Sequence, residues 1–348
     1  MKAKSNLYDL FKRLVETVGV SGFEEPVREL IKEQVTAYGA VRTDRIGNLI
    51  QIFGDSKPEV LLIAHMDELG MAVTHIEENG YVRFKHIARL DDRYLVGKTI
   101  QIHTENGIVE GVIGLKAPHL RLDQKEAQEV IPWHKLCIDV CTRSRRETES
   151  LGIKILDPIT IEKSFKILNE KYVCGRSLDD RFGCLALIEL SKHLSKIDLD
   201  KTVTLVWSVQ EEVGLRGARV ISKSYKPDYV IAVDSYASAD APNIPLHLAP
   251  AKLGEGPVLR LLDRSAIASL ELRKVFETVA EKYGIPLQVG ATGGGTDGSV
   301  IQQSEGGVSM MAVSVPIRYL HSPVEICHID DLMNLIELLD KSIDHIKK

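Results

Sequence analysis

The segment VTLVWSVQEEVGLRG, residues 203 to 217, runs from an apolar stretch directly into two adjacent carboxylates, Glu211 and Glu212, and then into glycines. Burial penalises an acid that has no partner, so paired acids at the end of a segment built for burial point to a positive partner. Three more apolar runs lead to metal-capable side chains: EVLLIAH ends at His65, DYVIAVD ends at Asp234, and VSMMAVSVPIRYLH leads to His321. A further element, SLDDR, puts Asp179 and Asp180 at the start of a helix, where exposed N–H groups and the helix dipole favour carboxylates. Taken singly, each has an ordinary explanation as a boundary His, a helix cap or a turn Asp. Those explanations do not account for all of them gathering at the carboxyl ends of strands, the place where open α/β sheets bind ligands.

Two His and three carboxylates suit a pair of divalent ions such as zinc or cobalt, with a water between them. In hydrolytic sites of this kind the ions lie about 3.5 to 4 Å apart and clamp the attacking and leaving oxygens. Such a pair needs a bridging carboxylate. It also needs a base that is not itself a ligand, to take the proton of the water and return it to the leaving group. That division of labour explains the doubled Glu, one a ligand and its neighbour the base. Asp67, two residues beyond His65 in HMDELG, is placed to reach the imidazole and fix its orientation, as metal-bound His usually requires.

The elements that must position these residues alternate. Leu7, Leu10, Phe11, Leu14, Val15 and Val18 give residues 5 to 19 an amphipathic helical spacing that Gly19 ends. A second helix follows SGFEEP, with Pro26 in its first turn. NLIQIFG and EVLLIAH read as strands, the latter covered on both faces. From residue 70 to 162 short alternating segments separated by turn residues (GMAVTHIEE, GYVRFKHI, KTIQIHT, GIVEGVIG, KLCIDV, DPITIEK) predict a small β-rich module inserted into the chain. After it, the helices DDRFGCLALIELSKHL and GLRGARVISKSY, the strands TVTLVWSV, DYVIAVD and VSMMAVSV, and helices over 267–283 and 329–347 predict an α/β fold. Its sheet would be mostly parallel, with helices on both faces. The expected division is a body of residues 1–69 and 163–348 with residues 70–162 inserted.

Composition excludes several classes. The 348 residues are 44% hydrophobic and 27% charged with a net charge of −5, and no long Lys/Arg run marks a nucleic-acid partner. The amino terminus lacks the apolar core of a signal peptide, and no segment reaches the length of a membrane span, so a cytoplasmic protein is expected. Five cysteines without a repeated close pair fit a reducing compartment. Cys137 and Cys141 have a spacing that half a zinc site could use, but the other half is missing. Cys327 and His328, close behind His321, are expected in a surface turn before the last helix.

The motifs His65-Met66-Asp67, Leu178-Asp179-Asp180-Arg181, Gln210-Glu211-Glu212-Val213-Gly214, Val233-Asp234 and Arg318-Tyr319-Leu320-His321 resemble, in order and over essentially the whole chain, those of the TET aminopeptidases, the dinuclear metallopeptidases of family forty-two. The resemblance implies that Asp179 bridges two metal ions, that His65 and Asp234 hold one and Glu212 and His321 the other, and that Glu211 is the base. It favours Asp179 over Asp180 as the bridge, because relatives place that Asp four residues before a helix glycine, here Gly183. It also implies that residues 70–162 form a PDZ-like dimerisation domain and that dimers assemble into a tetrahedral dodecamer.

Gly293 to Gly298, GGGTDG, does not match a nucleotide loop and resembles the family's substrate-pocket loop, although Gly298-Ser299 departs from the expected order. The implied activity is removal of amino-terminal residues from peptides. The alternatives are a related carboxypeptidase or deacylase, and a non-catalytic assembly protein on the same fold. An endoglucanase label, carried by some relatives, leaves the two His unexplained, since glycoside chemistry needs only two carboxylates.

Overall fold

The computed structural model of the chain describes residues 2–120, 129–304 and 306–347. Period-two alternation builds its largest sheet. In β3 (Glu59–His65), Val60, Leu62 and Ala64 enter one apolar layer while Leu61 and Ile63 enter the opposite one. β11 (Thr202–Ser208), β12 (Tyr229–Ala237) and β15 (Ser309–Ile317) divide their side chains in the same way. These four strands lie side by side and parallel in the order β11-β3-β12-β15.

The flanks run otherwise. β1 (Val41–Thr43) pairs antiparallel with β2 (Leu49–Phe53), and β2 antiparallel with β11. On the other side β13 (Val258–Leu262) is antiparallel to β15 and parallel to β14 (Gln288–Ala291). The centre is parallel as expected, and the eight-stranded sheet as a whole is mixed. The reason is local: the connection between β1 and β2 is a tight turn in which the Asp44 carboxylate receives the amides of Ile46, Gly47 and Asn48, and a connection that short joins only antiparallel strands.

Helices cover both faces. α4 (Leu178–Leu194), α6 (Leu270–Tyr283) and α8 (Ile329–His345) line one face, with α1 (Lys2–Glu16) and α2 (Glu25–Val35) packed on α4. α5 (Arg216–Ser224) and α7 (Asp297–Gln302) cover the other. Among the described residues, no helix is long and apolar enough to cross a membrane.

A second, three-stranded sheet was not expected. It pairs β10 (Tyr172–Gly175) with β9 (Phe165–Leu168) and β16 (Glu325–His328). Cys327 and His328 therefore lie in a buried strand opposite Val173 and Tyr172, not in a surface turn. Local patterning could not show this, because the partner strand is some 150 residues away in sequence. His328 Nδ1 instead accepts the Asp330 amide and caps α8.

The chain divides into two compact units, one of Met1–Glu68, Ser164–Leu320 and Val324–Lys348, the other of Leu69–Lys163 with His321–Pro323. The second unit has its own apolar core around Val73, Phe84, Ile100, Ile102 and Ile159. Its antiparallel sheet has the order β5-β4-β8-β6-β7, from β4 (Gly70–Ile76), β5 (Val82–Ile87), β6 (Lys98–Thr104), β7 (Gly107–Ile113) and β8 (Pro158–Ile161). The two edge strands are joined through KLCIDV: Ile138 exchanges both amide hydrogen bonds with Val82, and Asp139 does so with Val112. One residue of each edge strand is thus paired at a position that an open five-stranded sheet would expose. One short helix, α3 (Arg145–Ser150), belongs to the same unit.

Candidate metal centre

His65 is the last residue of β3 and is buried. Its Nδ1 lies 3.1 Å from the backbone oxygen of Asp67 and 3.6 Å from a carboxylate oxygen of the same residue. With Nδ1 donating there, Nε2 is the ring nitrogen that faces the Asp179 carboxylate, at 3.3 Å. An Nδ1 engaged in this way leaves Nε2 as the nitrogen a metal-bound His would use. Burial pulls the protonated imidazole down, but the hydrogen bonds with Asp179 and Asp67 and the charge of Glu211 outweigh it and hold His65 well above its ordinary range.

Asp67 does more than orient the imidazole. Its Oδ1 receives the amide of Glu211 at 2.9 Å, and its Oδ2 receives the amide of Glu212 at 3.2 Å and the hydroxyl of Ser21 at 2.6 Å. Burial opposes the Asp67 charge, yet His65, Ser21 and the Glu211 amide hold its carboxyl below the usual range. One carboxylate thus ties the end of β3 to the loop that bears the two Glu.

That loop, residues 209 to 215, leaves the sheet through a left-handed turn at Gln210 (φ 56°) and enters α5 through another at Leu215 (φ 57°). Its carbonyls are taken by the start of the helix: Val209 by Gly217, Gln210 by Arg216, Glu211 by Leu215. Burial pushes the Glu211 carboxyl well up, countered by His65 and reinforced by the charges of Glu212, Asp234 and Asp297.

Asp179 and Asp180 open the segment of α4 but do not have helical dihedrals, and the peptide bond between them is cis. Their side chains diverge. Asp180 turns into the protein, where its two oxygens receive the amides of Gly183 (3.1 Å) and His65 (3.3 Å). Asp179 faces the His65 ring, and its own amide is received by Glu325 at 3.3 Å.

Asp234 lies within β12, in register with Ser314, rather than at the strand's end; Ser235, Tyr236 and Ala237 continue the ladder against Val315, Pro316 and Ile317. Its Oδ1 receives the Ser235 amide at 2.6 Å. Burial and the neighbouring Asp179 push its carboxyl up to about 7, against the charges of His65 and Arg260.

The donor atoms of His65, Asp179 and Asp234 lie within 4.8 Å of one another, as do those of His65, Glu211 and Glu212. An imidazole and several crowded, desolvated carboxylates fit a cation, whose charge reverses the local cost of ionising the acids. His321 follows β15 in a left-handed conformation (φ 62°) and groups with Ser322 and Pro323 in the second compact unit.

Several further residues support the site. Glu68 is a buried acid next to Asp67; it receives the Gly19 amide at 2.8 Å and lies 3.3 and 3.4 Å from the guanidinium groups of Arg181 and Arg176. Asp297, in the glycine-rich stretch, accepts a short hydrogen bond from Ser208 at the end of β11. Arg260 ties that stretch to β12, donating to Gly293 at 3.0 Å and to Ser235 at 3.3 Å. The available signal was the same one that exposed Glu211: in HMDELG, two acids follow a strand built for burial.

Residues 47–338 match the M42 glutamyl aminopeptidase family. The chain is 37% identical over 344 residues to the lysyl aminopeptidase of Pyrococcus furiosus, covering 98% of this chain and 97% of that one. It is 42% identical to the Pyrococcus horikoshii TET1 peptidase, which can assemble into a tetrahedron or a large octahedral shell; the structures superpose with a TM-score of 0.89, covering 96% and 98% of the two chains. A TET aminopeptidase from a marine sediment archaeon of the Thaumarchaeota is 32% identical, with a TM-score of 0.95 and coverage of 99% and 98%. Matched over most of its length by the family and nearly end to end by these relatives, the chain belongs to the M42 glutamyl aminopeptidase family and so to the aminopeptidase hydrolases.

Proposed function

We propose that the chain is a metal-dependent aminopeptidase that hydrolyses amino-terminal residues from peptides, with Asp179 bridging two divalent ions, zinc or cobalt. His65 and Asp234 hold one ion, Glu212 and His321 the other. The observation that carries this is the convergence of His65, Asp179 and Asp234, with the His65 Nε2 turned toward Asp179 while its Nδ1 is engaged by Asp67. The family membership and the motif order support the assignment of Glu212 and His321. The divergence of the Asp pair favours Asp179 as the bridge, since both oxygens of Asp180 are spent on backbone amides.

Bound divalent ions supply Lewis acidity there, polarising the scissile carbonyl and making a water acidic enough to give up its proton near neutral pH. Glu211 takes that proton and returns it to the departing amine. Asp67 keeps Glu211 in place through the Glu211 amide and keeps His65 in the ligating tautomer. Residues 1–69 and 163–348 form the catalytic body in this scheme. Residues 70–162 form a PDZ-like dimerisation domain, and dimers build a tetrahedral dodecamer in the cytoplasm, in keeping with the shells formed by the Pyrococcus horikoshii relative.

The test compares a peptide with a free amino terminus and the same peptide acetylated there. Only the free peptide is expected to be cleaved, from its amino end. Equal cleavage of the blocked peptide, or release of the carboxy-terminal residue first, would assign the site to a deacylase or carboxypeptidase instead.

A further inference from the structure

Three successive amides of the loop after β11 are received by two buried carboxylates from the first quarter of the chain. Asp67 takes those of Glu211 and Glu212, and Glu24 takes that of Gln210 at 3.1 Å. Glu24 immediately precedes α2, is buried, and uses the same oxygen, Oε1, to receive the Gly22 amide at 2.8 Å. Gln210 has φ of 56°, a conformation that a residue with a side chain keeps only where its surroundings hold it. The carbonyl of Gln210 is fixed from the other side by the Arg216 amide. A rotation at Gln210 would swing the following residue, Glu211, out of line with the centre.

We propose that Glu24 is a positioning residue for the proton-transfer step, receiving the Gln210 amide and so holding the left-handed turn that aims Glu211. This rests on Glu211 being the base. Neither amide that Glu24 receives belongs to a metal-capable side chain, so Glu24 acts on turnover rather than on metal capture. Asp67 is different: it serves His65 as well as the loop. Glu24 also links the loop to the start of α2, whose Arg28 amide bonds the Glu24 carbonyl at 2.9 Å.

The test uses the full chain loaded with zinc or cobalt and the variants Glu24→Ala and Glu24→Gln. The measurements are kcat and KM on an aminoacyl chromogenic substrate, bound metal per chain, and hydrogen exchange at the Gln210 amide. Glu24→Ala is expected to lower kcat by up to about one-hundredfold, the scale of loss that a misplacement of about 1 Å at a reacting group can cause. KM and metal content should stay unchanged, and the Gln210 amide should exchange faster. Glu24→Gln keeps an oxygen that can accept both amides and should restore kcat and exchange protection. If Glu24→Ala does not fold, Glu24→Asp, one methylene too short to reach Gln210, replaces it with the same expected outcome.

An unchanged kcat in the Ala or Asp variant would overturn the proposal, as would a loss that Gln fails to rescue. A Glu211→Gln control separates the two assignments. Turnover surviving in that control removes Glu211 as base; an inactive control beside a fully active Glu24→Ala removes only the role of Glu24.

Discussion

The carboxylate of Asp67 receives the backbone amide of Glu211 at 2.9 Å, and through its other oxygen the amide of Glu212 at 3.2 Å, while its own residue holds His65 Nδ1. A proposed ligand and the proposed base are therefore set by one side chain. Asn at position 67 offers a single acceptor oxygen and turns an NH2 group toward one of the two amides. Asp67→Asn is expected to weaken metal binding and kcat each by about ten- to one-hundredfold while leaving the protein folded. Metal titration followed by steady-state kinetics reads both; metal affinity and kcat equal to wild type would separate Asp67 from the centre.

Glu211→Ala removes the proton carrier and leaves all five proposed ligands. We expect unchanged metal content and a fall in kcat of about 10² to 10⁴. Metal analysis beside a turnover assay decides it, and normal turnover would place the base elsewhere.

Gly183 permits Asp180 to fold back onto the start of α4. A Cβ built at Gly183 would lie 2.6 Å from the Asp180 carboxyl carbon, far inside contact distance. Gly183→Ala must displace Asp180, which carries the hydrogen bond to the His65 amide. The expected cost is about 1 to 3 kcal/mol of stability, with weaker metal binding. Urea melts with and without metal measure it; a variant as stable as wild type would show that Asp180 can move without consequence.

Asp331 supplies a pH dependence away from the centre. It is fully buried in α8 and receives the amides of Gly254 (2.7 Å) and Gly256 (2.8 Å); burial pushes its carboxyl up to about 7 in spite of those bonds. Below about pH 4 both folded and unfolded chains hold the proton. Between there and about 7 the unfolded chain gives it up and the folded chain keeps it, so this residue's contribution to stability falls as pH rises through that window. Relative to Asp331→Asn, the wild-type melting temperature should therefore drop from pH 4 to pH 7. A difference between the two proteins that stays constant over the window would contradict the assignment.

The buried strands and long helices were legible because their periodicity is carried by consecutive residues. EVLLIAH became β3 residue for residue, and the spacing over 267–283 corresponds to α6 at Leu270–Tyr283. Strand direction was less legible, since a run such as VLRLL in β13 reports burial on both faces and not which neighbour it meets. The three-stranded sheet of β9, β10 and β16 stayed hidden for a related reason: each of its strands has four residues, too few to show a period, and β16 pairs with β10 across some 150 residues of sequence.

For the proposed centre, residue type and placement after apolar runs marked His65, Glu211, Glu212, Asp234 and His321 as candidates, and placement at a helix start marked Asp179. The roles of Asp67 toward Glu211 and of Glu24 toward Gln210 were not readable in that detail, because both are side chain to backbone bonds between segments more than 140 residues apart. Asp179 and Asp180 are chemically identical neighbours, and beside the spacing to Gly183 it is their different partners that distinguish them, the His65 ring for one and the amides of His65 and Gly183 for the other.

The most direct measurement is a titration of metal-stripped protein with zinc or cobalt, counting bound ions per chain while following release of an amino-terminal residue from an unblocked peptide. The stripped protein should be inactive, and hydrolysis should return as the second equivalent fills. A stripped protein that retains full activity, or one that binds no divalent ion when supplied in excess, would contradict the account.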